Sequence, residues 1–175
     1  MSPWFTVLTS AVVAAIISGA FGLRAKWNEF ENDYYKYVVN RRIEAYEQLE
    51  KLILGLKTCV VGENDNRPYH LLFSSEKDED WERAFALLGN VMSQGLWLSD
   101  EVFSKVTELN YLIFHFEKPK SVIEFAKNEY ERLATLRATL ERLLAIDMIE
   151  LHNVKRFLRS KDTRDPGFHL IRLKH

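Results

Sequence analysis

A single cysteine, Cys59, stands in 175 residues, so no intramolecular disulfide can form and a reducing compartment fits. Only four prolines and seven glycines occur. Long stretches have neither, which argues against a turn-rich β fold and for long helices. The five histidines (His70, His115, His152, His169, His175) do not pair with one another or with Cys59 at a ligand spacing, so no metal and no cofactor is expected. There is no glycine-rich phosphate loop and no nucleophile elbow. The net charge of −1 gives no global field toward nucleic acid or anionic lipid. What the chain does have is apolar and charged residues in balance, 47% and 28%, enough for a folded core.

Residues 3–23 carry no charge. As a helix they would rise ~32 Å, matching a hydrocarbon core of ~30 Å. Ser2 and Pro3 suit a helix start, Trp4 and Phe5 one interface, and Phe21 and Trp27 the other. Residues 1–4 contain no Lys or Arg, unlike a cleaved leader. A retained transmembrane helix over 1–23 is therefore expected, in contact with the lipid bilayer. Arg24, Lys26, Lys36, Arg41 and Arg42 follow it, so the positive-inside rule places the amino terminus outside and the rest in the cytoplasm. For a bacterium this is the inner membrane. Ser10, Ala14, Ser18 and Gly22 form one row of small residues, and Ala11, Ala15 and Gly19 the next. Such rows let backbones approach, so a homo-oligomer is expected through them. Thr6, Thr9 and Ser10 are the candidate lining of a pore.

Apolar residues recur at three- and four-residue steps through Trp27, Phe30, Tyr34, Tyr37, Val38, Tyr46, Leu49, Leu52 and Leu56, with no Gly or Pro between 23 and 54. The first helix is thus expected over 3–58. A loop fits 62–68, a second helix 76–95, a third 100–116 capped by Ser99 and a fourth 121–160. No segment alternates as a strand does. The expected class is all-α: a transmembrane helix (1–23) continuing into a cytoplasmic four-helix bundle (24–160), then a basic tail (161–175). Asp147, in an apolar stretch, is positioned to meet an arginine on a facing helix.

Residues 152–175 hold seven Lys or Arg against two Asp, a balance of +5. On one continuous helix His152, Lys155, Arg156 and Arg159 would share a face. That face suits RNA or anionic lipid, or simply complements its own helix dipole. Arg164 and His169 have the arginine, four residues, histidine spacing of HEPN ribonucleases. In those enzymes the histidine transfers the proton and the arginine holds the phosphate. Pro166 and Gly167 between them exclude a regular helical presentation, so no catalysis is expected, and Arg164 and His169 are the catalytic candidates of the alternative. With its span, its helical domain and this divergent motif, the chain resembles the small membrane accessory protein of type VI-B CRISPR systems. The resemblance implies a HEPN-like bundle and an antiviral protein that assembles into a ring and pore. It implies support for an RNA-guided ribonuclease partner by permeabilising or depolarising the membrane. The alternatives are a membrane-tethered HEPN ribonuclease and a passive anchored scaffold for a cytoplasmic partner.

Overall fold

The computed structural model describes residues 3–62, 65–74, 78–114 and 121–161, with side chains described from 14 in the first stretch and from 82 in the third. The chain is mostly helical. Helix α1 runs Pro3–Gly55, α2 Asp78–Ser93, α3 Asp100–Phe114, α4 Val122–Asn128, α5 Tyr130–Ile149 and α6 Val154–Ser160. Two compact units divide at Asn40 and Arg41, so α1 belongs to both.

Among the described residues no helix is long and apolar enough to cross a membrane. The expected transmembrane helix over 1–23 is corrected accordingly, and with it the single-pass, membrane-embedded and pore readings. An 18-residue window from Ala14 already includes Arg24, Lys26, Glu29 and Glu31. The helix itself persists because nothing between 23 and 54 breaks it. It ends at Gly55, where Lys57 N–H turns back to the Leu54 carbonyl.

In the unit 41–175 the core is built from one stripe per helix. Ala45, Tyr46, Leu49, Leu52 and Ile53 come from α1, Leu56 from the turn just after it, and Ala84, Leu88 and Val91 from α2. Val102, Val106, Leu109 and Ile113 come from α3, and Leu133, Leu136, Leu140 and Leu143 from α5. Each set steps by three or four residues, the spacing of one helix face. Ser99 caps α3, its Oγ accepting from Val102 N–H at 3.3 Å, and Ser121 caps α4 by accepting from Glu124 N–H.

Two further expectations need correction. The chain is not all-α: Cys59–Val61 (β1) pairs antiparallel with Pro68–His70 (β2), in the register Cys59↔His70, Val60↔Tyr69, Val61↔Pro68. The turn between them uses Asn66 at φ 54°, a left-handed conformation asparagine tolerates. The Asp65 carboxylate sits in this turn. It accepts from Lys127 Nζ at 3.0 Å and from Arg67 Nε at 2.9 Å, and these two cations hold it well below the usual carboxylate range. The long last helix is three helices. Glu129 carries the bend between α4 and α5. Residues 150–153 leave helical geometry, and Asn153 restarts the chain as α6 by accepting from Arg156 N–H. Asparagine at a helix start competes for the backbone in this way.

Candidate functional site

A cleft of about 310 Å³ opens between α1, the start of α3, the end of α5 and α6, all within 41–175. Arg42 forms its inner wall and is only 2% exposed. Its guanidinium lies 4.0 Å from the Phe157 ring centroid, a cation–π contact, and NH1 donates to the Leu151 carbonyl at 3.0 Å. Its Nε has no hydrogen-bond partner among the described residues. One turn further along α1, the Tyr46 hydroxyl donates to Asp147 Oδ2 and accepts from Ser99 N–H at 3.2 Å. Burial, then the hydrogen bond and charge of Asp147, push the Tyr46 phenol up to about 12. Lys161 closes the rim. Its Nζ reaches Asp100 Oδ1 and the Gly95 carbonyl, each at 3.0 Å. Glu150 pairs with Arg156 at 2.7 Å.

The chemistry of this cleft is that of a fastening. A phenol held neutral to about 12 is neither a base nor a nucleophile at ordinary pH, and the charges beside it are largely paired. The Tyr46–Asp147–Ser99 bonds join α1, α5 and the cap of α3, three elements far apart in sequence. Asp147 does meet a partner on a facing helix, but that partner is a tyrosine rather than an arginine.

A second group gathers on the ribbon. Register places Cys59 Sγ 3.4 Å from His70 Nδ1, and the His70 ring stacks on Tyr130 with centroids 5.0 Å apart. Cys59 is exposed and His70 is fully buried. Burial pushes the His70 imidazole below its ordinary value of 6.5, with the carbonyls of Leu56 and Tyr130 opposing and Arg137 assisting. The sign follows directly. Above 6.5 the ring is neutral folded or unfolded and costs nothing. As the pH falls below 6.5 the unfolded chain takes up a proton that the folded ring resists, so stability drops. His70→Phe, which keeps the stacking, is expected to flatten this fall below pH 6.5. Urea unfolding of both proteins across that range checks it; parallel pH profiles would rule the assignment out.

The residues singled out from sequence scatter. Arg164 and His169 lie outside the described residues. His152 sits in the turn before α6, not on a helix with Lys155, Arg156 and Arg159. All four are exposed, but Arg156 is engaged by Glu150, which weakens a uniform basic face for RNA. Ala14, Ala15, Ser18, Gly19 and Gly22 are exposed on α1, with open space where a Cβ on either glycine would stand. The side chains of Thr6, Thr9, Ser10 and Ala11 lie outside the described ones. Among the described residues no group of three His, Cys, Asp or Glu could hold a metal. The cleft and the Cys59–His70 pair were both missed. Their members lie 11 to about 100 residues apart, and the one signal was Asp147 in its apolar setting. No family model, no curated protein and no solved structure matches this chain.

Proposed function

We propose that this protein is a non-enzymatic accessory module that works by self-assembly, with α1 as its assembly surface. One observation carries the reading. Along one face of α1, Ile16, Leu23, Trp27 and Phe30 are each exposed by 66–73%. Apolar surface in water costs about 25 cal/mol per Å², and a contiguous patch of this kind marks an interaction site. In the unit 41–175 the long helices each bury one stripe in the core. The net charge of −1 places no strong repulsion between copies. The assembled form is a closed homo-oligomer, and nothing in it requires a membrane span. Its setting is the one the resemblance implies, beside an RNA-guided ribonuclease whose defence it supports. The tight pairing within the Tyr46–Asp147 cleft agrees with a structural rather than a catalytic body.

The test is mass in solution. Sedimentation equilibrium of the full chain should give a multiple of 20.5 kDa. The double variant Trp27→Ala/Phe30→Ala should return it to the monomer mass with an unchanged unfolding transition, because neither residue is buried in the core. A wild-type protein that sediments as a monomer across the accessible concentration range overturns the proposal.

A further inference from the structure

The geometry points to a specific partner for α1: a second copy of the same helix, running antiparallel, in the register that sets Trp27 of each copy against Phe30 of the other. This rests on the self-association proposed above and names its contact.

Ile16, Ala20, Leu23, Trp27, Phe30, Tyr34 and Tyr37 are spaced by steps of four and three without interruption. That is the seam of a two-stranded coiled coil. Every one of them is exposed, and all lie in the unit 1–40. From Ala20 to Tyr37 the seam is about 27 Å long.

Side-chain size and charge then choose the direction. In an antiparallel pair each first-position residue faces a fourth-position residue of the partner. Centred between Trp27 and Phe30, the layers become Ala20 with Tyr37, Leu23 with Tyr34, and Trp27 with Phe30. Each is repeated by the two-fold axis. Smaller residues meet larger ones in the outer layers, as close packing requires. A parallel pair would instead set each residue on its own copy, with Ala20 on Ala20 underfilled at one end and Trp27, Phe30, Tyr34 and Tyr37 in four successive crowded layers.

The flanking charges agree. In the antiparallel register Arg24 faces Glu31 of the other copy, and Lys26 faces Asp33, giving four opposite-charge pairs over the two-fold axis. In the parallel register Lys26 would face Glu31, while Arg24 would meet Gly19 and Asp33 would meet Val38, giving two. Within its own helix Glu31 accepts from Tyr35 at 2.7 Å, and Asp33 lies 3.8 Å from Lys36. A carboxylate has several acceptor sites, so these contacts coexist with a partner's cation. A two-fold pair of this kind closes on itself; a larger ring needs a second contact.

Charge exchange in the full-length protein tests the direction, read as the dissociation constant from sedimentation at low salt. Arg24→Glu turns two attractive pairs repulsive and is expected to weaken association about tenfold. Arg24→Glu/Glu31→Arg restores the antiparallel pairs with signs exchanged, and should recover affinity to within about threefold of wild type. A parallel pair predicts the reverse: little change for the single variant, and loss for the double, where Arg at 31 faces Lys26. Helix content by circular dichroism confirms that these exposed substitutions leave the fold intact. If the wild type associates, and Trp27→Ala/Phe30→Ala abolishes it, yet the double charge variant is no better than the single, the antiparallel register is wrong and self-assembly stands. If the wild type does not associate, both fall.

Discussion

Phe125→Ala is expected to lower the free energy of unfolding by about 3–5 kcal/mol, the largest effect of any single substitution considered for this protein. Phe125 is fully buried on α4, and its ring meets Phe73 edge-to-face with centroids 5.8 Å apart at 84°. Truncation removes the apolar transfer term, the aromatic contact and the packing of a site that rigid neighbours keep from collapsing. The neighbours here are rigid for a stated reason: α4 is tied to the ribbon through Lys127 and Asp65. Urea unfolding followed by circular dichroism measures the change. Leu158→Ala, at a 41% exposed position on α6, is the control and should stay within about 0.5 kcal/mol. Equal effects at the two positions would show that Phe125 is not a core residue.

Helix α3 was legible because its sequence carries both a stripe and a start signal. Ser99, Asp100 and Glu101 mark the beginning of α3, and Val106, Leu109 and Ile113 recur on one face. The ribbon was not legible. Three residues per strand are too few to alternate, and its pairing is set by a turn at Asn66 rather than by pattern. The breaks around Glu129 and Glu150–Asn153 lack Gly and Pro, so only Asn153 hinted at one. The reading of 1–23 failed on a different point. It took an uncharged run to be a span, whereas among the described residues no helix is long and apolar enough to cross a membrane, and the same helix runs on into charged residues from Arg24. For Trp27, Phe30, Tyr34 and Tyr37 the periodicity was plain, but periodicity cannot say whether a stripe faces its own core. The structure leaves these four exposed. The cleft was beyond reach, since nothing in a single sequence ties Tyr46 to a carboxylate 101 residues away.

Tyr46→Phe should cost about 1–3 kcal/mol although it removes one oxygen atom. The loss strands two groups at once, the Asp147 carboxylate that accepts from the hydroxyl and the Ser99 N–H that donates to it. Stranded groups in a part-buried setting can cost more than the bond itself contributes. A pH signature separates this from a packing defect. The phenol is raised from 10.0 to about 12 in the folded protein. Its contribution is therefore fully present below pH 10. It is lost as the pH climbs from 10 to 12, because the unfolded chain releases its proton first. The Phe variant should lack that alkaline decline. Stability curves of the two proteins that stay parallel from pH 9 to 11.5 would count against the role given to the hydroxyl.

The fastening of α1 by Asp147 and Leu151 also sets an order of events during synthesis. Arg42 and Tyr46 emerge early, but the groups that hold them are separated by 109 and 101 residues. Until α5 and α6 have left the ribosome, the face made by Leu49, Leu52 and Leu56 has no complete cover. At ordinary elongation rates that interval is roughly 5–20 s. For that time the nascent chain presents this stripe together with the aromatic one upstream, and two nascent chains on one message come close enough to pair through the wrong one.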